Sequence, residues 1–172
     1  ELHIRAVAGG VMSDYWFNGA KTDDLVRING PLGSFFLRET AGLDLVFLAT
    51  GTGIAPIKAM IEAMPQLAAS KPPRSVTVVW GGRVQDDMYL DVAAMPGNHV
   101  FIPVLSRASP SWSGGRGYVQ QALLEVLPDL SKAAVYACGS DAMIHSARLA
   151  MFEAGLPANR FYSDAFVSSA AN

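Results

Sequence analysis

The hydrophobic pattern of this chain changes character once, near residue 43. Before that point apolar residues come in short bursts. Leu2-His-Ile-Arg-Ala-Val7 alternates apolar and polar, the period of a half-buried strand. Ala8-Gly9-Gly10 reads as a turn. Val11 to Phe17 is apolar at helical spacing, with Ser13 and Asp14 early enough to act as caps. Leu25 to Asn29 alternates again, Gly30-Pro-Leu-Gly33 is a turn, and Ser34 to Leu37 is a short strand. This region is antiparallel in character and too small to close a sheet alone.

From Leu43 the rhythm becomes strand, then helix, repeated. The pattern predicts strands over 43–50, 75–80, 100–105, 133–137 and 160–163, and helices over 54–69, 86–94, 118–127 and 141–154. Gly155 is placed to stop the last helix. Residues 109–117 form a loop rich in Ser and Gly. Alternation of this kind predicts an α/β fold, a doubly wound parallel sheet with helices on both faces. Ligands of such sheets bind outside the carboxyl ends of the strands. The strand endings at Thr50, Gly81, Ser106 and Cys138 are therefore expected along one edge.

Composition narrows the function classes. The chain has 172 residues, 51% hydrophobic and 16% charged, enough for one packed domain and a smaller extra piece. Net charge is −2 and no segment gathers Lys and Arg, which argues against nucleic acid as a partner. No apolar run is long enough for a membrane-crossing helix. The chain has 1 cysteine, so it holds no internal disulfide and no cysteine-ligated zinc or iron–sulfur site. A reducing, cytoplasmic compartment fits this. His3, His99 and His145 lack metal-ligand spacing, and no metal site is expected. Glu1 opens directly in an alternating segment, so the chain reads as a piece of a longer protein.

The densest chemical signal is Val46-Phe-Leu-Ala-Thr-Gly-Thr-Gly-Ile-Ala-Pro56. An apolar strand ends in a glycine turn that opens a helix. Such a turn aims backbone N–H groups at one point beside the positive end of the helix dipole, a place for phosphate or pyrophosphate. Pro56 sits near the helix start, where its missing N–H costs nothing. The spacing is neither the G-x-x-x-x-G-K-S/T loop nor the three-glycine dinucleotide fingerprint. The loop alone supports a nucleotide or phosphate site, or a purely structural turn.

Five motifs in order extend the signal: Gly30-Pro-Leu-Gly33, Thr50-Gly-Thr-Gly-Ile-Ala-Pro56, Trp80-Gly-Gly-Arg83, Tyr136-Ala-Cys-Gly139 and Phe161-Tyr-Ser-Asp-Ala-Phe166. Together they resemble the ferredoxin–NAD(P)+ reductase family. Within it they are most similar to bacterial NADH-dependent oxygenase reductases and CDP-6-deoxyhexulose dehydrase reductases. The resemblance implies an antiparallel FAD-binding barrel followed by a parallel nicotinamide-binding domain. It implies residues 1–42 as the last part of the barrel and 43–172 as the NAD(P) domain. It implies a flavin-dependent reductase that passes electrons from NAD(P)H through FAD to an iron–sulfur protein or domain, or to another acceptor. The family's Arg-x-Tyr-Ser/Thr flavin motif is not found in this chain. The alternative reading is therefore a nucleotide-binding module without turnover.

The resemblance also implies roles for residues. Thr50, Gly51, Thr52, Gly53 and Pro56 form the nicotinamide and pyrophosphate loop, with Thr52 donating near the flavin–nicotinamide junction. Cys138, with Gly139, sits beside the nicotinamide C4 and positions the ring. Its bland reading is a small buried hydrophobe. Gly10, Val11, Met12 and Ser13 lie near the FAD pyrophosphate, or form an ordinary turn and cap. Phe166 covers the flavin, or packs at a sheet edge. Gly82, Arg83, Ser106, Arg107, Arg116 and Tyr118 belong to the adenosine end. That basic set suits NADPH, but Asp86 and Asp87 lie near it, and a 2′-phosphate is repelled by uncompensated carboxylates. The reading is therefore NADH, with NADPH as the alternative. Trp80 and Trp112 read as packing residues.

Overall fold

The computed structural model describes residues 1–38 and 40–166. It separates into two compact units, Glu1–Ser34 and a larger one from Phe35 onward.

The larger unit is built on one six-stranded sheet. Its strands are β1 (Asp44–Thr50), β2 (Ser75–Gly82), β3 (Val100–Leu105), β4 (Gly115–Arg116), β5 (Ala133–Ser140) and β6 (Phe161–Phe166). Their order is β4-β3-β2-β1-β5-β6, and every neighbouring pair is parallel. The order reverses between β1 and β5, which makes their carboxyl ends a topological switch point.

The three longer helices are α2 (Ile54–Leu67), α3 (Val119–Val126) and α4 (Asp141–Glu153). Strand parity assigns the two faces. Leu45, Phe47, Trp80, Tyr136 and Cys138 share one core cluster with Ile54, Ile57 and Ile61 of α2. Val46, Leu48, Val135 and Ala137 share the other with Leu123 of α3 and Ile144 and Met151 of α4. Side chains one residue apart on a strand thus feed opposite layers. This is why β1 and β5 read as continuous apolar runs. Each fully buried large apolar side chain contributes about 1.5–3 kcal/mol of transfer free energy.

Local chemistry sets the helix ends. The Ser140 hydroxyl accepts from the Met143 N–H at 3.3 Å, capping α4 beside Asp141. At the other end Gly155 has φ +86°. The Leu156 N–H donates to the Met151 carbonyl at 3.0 Å and the Gly155 N–H to that of Phe152 at 3.1 Å. That is a Schellman ending, with Leu156 and Met151 buried in one cluster.

Two sets of expectations are corrected. The predicted helix over 86–94 is only a single 3-10 turn, Gln85–Asp87, followed by irregular chain. The Asp87 carboxylate accepts from the N–H groups of Arg83 (2.6 Å) and Val84 (3.2 Å), and Asp91 accepts from Ala94. Such local bonds offer the backbone an alternative to the helix ladder. The second set lies in the first unit and its junction. Residues 2–7, 25–29 and 34–37 alternate like strands but form none. Alternation describes a side-chain pattern, whereas a strand also needs a neighbouring backbone to pair with. The helix predicted over 11–17 is α1 (Val11–Asp14), prolonged by a π turn over Tyr15–Gly19. Ser13 and Asp14 do not cap it. Gly10 holds the N-cap position, the Ser13 hydroxyl accepts from the Val7 N–H at 2.9 Å, and Asp14 accepts from Asn18.

Candidate functional site

The carboxyl ends of the strands fall in line. Thr50 pairs with Gly81, Gly82 with Leu105, and Leu105 with Arg116. On the other side Ala49 pairs with Cys138, and Ser140 with Phe166. The edge therefore carries Arg116, Ser106, Gly82, Thr50, Cys138–Gly139 and Phe166, drawn from segments distant in sequence.

At the switch point the backbones nearly touch. A Cβ on Gly53 would collide with the Cys138 carbonyl, 2.6 Å from its carbon. A Cβ on Gly139 would collide with the Thr50 hydroxyl and stand 3.1 Å from the Thr50 nitrogen. Gly139 has φ +151° and Gly51 has φ +53°. Glycine is required here both by backbone conformation and by approach distance. The Ser140 N–H donates to the Thr50 hydroxyl at 3.3 Å, tying the two strand ends together.

The turn Gly51–Gly53 is a 3-10 turn that runs straight into α2. Its N–H groups open the helical run and have no carbonyl one turn back to bond, the arrangement found where helix starts hold anions. Pro56 is the third residue of α2, inside the first turn. The Thr52 hydroxyl makes no hydrogen bond among the described residues and is only partly buried. It is a free donor at the mouth of the turn. Gly81 lets α3 come close, since a Cβ there would meet Val119 at 2.7 Å.

Cys138 is fully buried on the α2 side of the sheet. Burial, and then the nearby Asp164 carboxylate, push its thiol up to about 12. The thiol stays protonated at neutral pH and is no nucleophile.

On the far side of the edge two arginines stand ready. Arg83 and Arg107 are both exposed, and the Arg107 N–H donates to the Arg83 carbonyl at 2.8 Å. Neither side chain makes a hydrogen bond or ion pair among the described residues. Ser106 donates backbone and hydroxyl hydrogen bonds to the Gly82 carbonyl, at 3.0 and 3.4 Å. Arg116 differs. Its guanidinium donates to the carbonyls of Ala108, Ser109, Pro110 and Trp112, at 2.9–3.4 Å. It gathers the loop around itself. Tyr118 is 61% exposed beside it in sequence. Asp86 is exposed, while the Asp87 carboxylate is taken up by backbone amides.

In the first unit, Gly10–Ser13 forms the start of a four-residue helix. The Gly10 N–H donates to the Val7 carbonyl at 3.0 Å. Because the Ser13 oxygen accepts from Val7, its own proton is left to donate. Val11 and Met12 are exposed.

Trp80 reads from the sequence more as a packing than as a functional residue. The structure adds that its indole N–H donates to the Gly51 carbonyl at 2.9 Å. The available signal was its place directly before Gly81-Gly82 on a strand beside β1.

A comparison with known proteins settles the family. The oxidoreductase NAD-binding domain matches residues 47–149, and the oxidoreductase FAD-binding domain matches residues 1–37. The chain belongs to the oxidoreductase NAD-binding domain family. This agrees with the resemblance to ferredoxin–NAD(P)+ reductases read from the motifs. The chain is 47% identical over 174 aligned residues to the CDP-6-deoxy-L-threo-D-glycero-4-hexulose-3-dehydrase reductase of Yersinia pestis, covering 98% of this chain and 51% of that protein. It is 33% identical to the xylene/toluene monooxygenase electron transfer component of Pseudomonas putida, covering 96% and 48%. Among solved structures, Amycolatopsis cytochrome P450 reductase superposes with a TM-score of 0.76 at 28% identity, covering 96% and 51%. A Neisseria gonorrhoeae ferredoxin NADP+ reductase shares the fold, with a TM-score of 0.76 at 21% identity, covering 92% and 71%. The chain spans about half the length of the curated relatives it matches. In this NAD-binding domain the predicted parallel doubly wound sheet is the sheet observed. No helix among the described residues is long and apolar enough to cross a membrane.

Proposed function

We propose that this chain supplies the nicotinamide-binding part of a flavoprotein oxidoreductase. It passes electrons from NAD(P)H through FAD to an iron–sulfur centre or another acceptor. Residues 43–172 form the NAD(P) domain, and residues 1–42 belong to the FAD-binding part. The observation that carries this reading is the convergence at the β1–β5 switch point. There Gly53 packs directly on the Cys138–Gly139 backbone and Gly139 on Thr50, and the same turn carries the Thr52 hydroxyl, unpartnered among the described residues.

The residues present fit a dinucleotide. Glycines at 53 and 139 let the ends of β1 and β5 close against each other, so that both border one short stretch of the edge, and the helix start there offers amide donors to a pyrophosphate. When bound, NAD(P)H supplies a hydride and FAD accepts it and releases electrons singly. This chain's residues bind and orient. The amides of 51–53 hold pyrophosphate, and Thr52 donates to the nicotinamide end. Cys138, a neutral thiol buried beneath the edge, supports the Cys138–Gly139 backbone against which the ring lies. Arg83, Ser106 and Arg107 take the adenosine end, with Gly82 beneath them. Arg116 holds its loop in shape and Tyr118 flanks the adenine. Gly10–Ser13 faces the FAD pyrophosphate, and Phe166 shields the flavin. No proton transfer by a side chain is needed, so catalysis is orientation and exclusion of water.

NADH is the preferred donor on this reading. The donors of Arg116 are spent on carbonyls, and Asp86 lies exposed beside Arg83 in sequence. The electron acceptor is an iron–sulfur component of the kind served by the reductases of dehydrases and oxygenases it resembles, in the cytoplasm. The test is anaerobic titration with NADH and with NADPH, with added FAD, following flavin absorbance. Bleaching by NADH at lower concentration than NADPH supports the reading. Nucleotide binding without flavin reduction would reduce the chain to a binding module.

A further inference from the structure

Trp80 is the largest side chain in the core with no solvent exposure, and its only polar atom points at the nucleotide turn. Its indole N–H donates to the Gly51 carbonyl at 2.9 Å. Gly51 is the first residue of the turn and takes a left-handed conformation, φ +53°. Its carbonyl accepts twice, from the Trp80 indole on the β2 side and from the Ile54 N–H at the start of α2. The edge of the Tyr89 ring packs on the indole at a centroid distance of 5.3 Å and 89° between planes. The residues that follow Trp80 on the same strand are Gly81 and Gly82, which let α3 and Asp87 close on that strand end.

A carbonyl at the first residue of a 3-10 turn can rotate with its peptide plane. Rotation would swing the next N–H, that of Thr52, away from the site. The Ile54 N–H belongs to the same helical run and shifts with it, whereas an indole donor locked in the core is anchored outside the turn and opposes the rotation, because its ring cannot move without opening a cavity. We propose that Trp80 is a positioning residue for the nucleotide turn. It clamps the Gly51 peptide so that the Thr52 amide and hydroxyl keep their aim, with Tyr89 bracing the indole from outside. The inference rests on the proposed nucleotide role of the turn for its consequence, but the clamp itself is a property of the free chain.

The test has two readouts that separate these claims. In the free full chain, NMR relaxation dispersion reads the clamp. Trp80→Phe keeps an aromatic ring and removes the donor. We expect the Gly51–Gly53 amides to gain microsecond-to-millisecond exchange broadening, with the β1 and β5 amides unchanged. Trp112→Phe removes a like bond to the Gly115 carbonyl, 2.9 Å, and should leave the 51–53 amides unbroadened. In the unmutated protein, the Trp80 indole proton should itself be protected from hydrogen exchange. This arm holds even if the variant folds poorly. Calorimetric NADH binding reads the consequence, with about a tenfold rise in Kd for Trp80→Phe. Turn amides unbroadened in Trp80→Phe, or a rapidly exchanging Trp80 indole proton, would overturn the clamp. Broadened turn amides in Trp80→Phe, with an unmutated chain that binds no NADH, would leave the clamp standing and remove the nucleotide reading.

Discussion

The carbonyl of Cys138 occupies the space that a side chain on Gly53 would need. The two residues come from strands or turns eighty-five positions apart in sequence, roughly half the chain, yet their backbones meet at the switch point. This contact joins the turn after β1 to the end of β5 and gives the candidate site its floor.

The contact makes Gly53→Ala a sharp test. The obstructing atoms are backbone, so no flexible side chain can yield. We expect a loss of about 1–3 kcal/mol of stability and a larger loss of NADH affinity. A thermal melt paired with calorimetry checks both. Gly139→Ala should behave alike, because its φ of +151° and the Thr50 hydroxyl both oppose a side chain.

Cys138 should be silent toward thiol reagents in the native state at pH 8 and reactive once the chain is unfolded. Its thiol is pushed up to about 12 in the folded protein, against an ordinary value of 9.0. The unfolded chain therefore loses this proton first. The contribution is fully present below pH 9 and is lost as pH rises toward 12. In that window the slope is about 1.4 kcal/mol per pH unit from this one group. Tyr136, also raised by burial, adds to the alkaline loss above 10.0. Denaturant melts of the parent and of Cys138→Ala across that range separate the two. Cys138→Ala should keep its fold and slow flavin reduction by NADH, measured by stopped flow.

The opposite end of β1 carries a titration of opposite sign. Asp44 is buried and paired with Arg74, and it accepts from the Ser75 hydroxyl at 2.6 Å. The Arg74 hydrogen bond holds its carboxyl below the usual 3.8. Its stabilisation is present above pH 3.8 and is lost as pH falls through the lower folded value. Asp44→Asn should cost about 1–3 kcal/mol at pH 7 and flatten the acid limb of the stability curve. Urea melts from pH 2 to 7 check this.

Arginines along the edge should separate by role. Arg83→Ala and Arg107→Ala should weaken NADPH more than NADH, because both guanidinium groups are free to meet a phosphate. Arg116→Ala should weaken both nucleotides by a similar factor, since it releases a loop rather than a charge contact. Binding isotherms for the two nucleotides on each variant give the comparison.

The parallel sheet was legible because β1 and β5 are buried on both faces and short glycine endings punctuate them. The switch point was legible too, since Thr50–Gly53 and Cys138-Gly139 are both strand endings. Other features were not. Asp87 and Asp91 cap their own backbone and break a helix that periodicity allowed. Residues 2–7 and 25–29 have strand alternation without a paired neighbour. The four carbonyls around Arg116 arise from a loop conformation that no spacing encodes. The Trp80–Gly51 bond joins neighbouring strands and depends on their register.

The central claim is that the turn after β1 and the end of β5 form one nicotinamide site. The direct measurement is amide hydrogen exchange of the chain with and without saturating NADH. The account requires protection concentrated at 50–54 and 138–140, with the 64–76 region unchanged. Protection elsewhere with those two segments unaffected, or no NADH-dependent change at all, would contradict it.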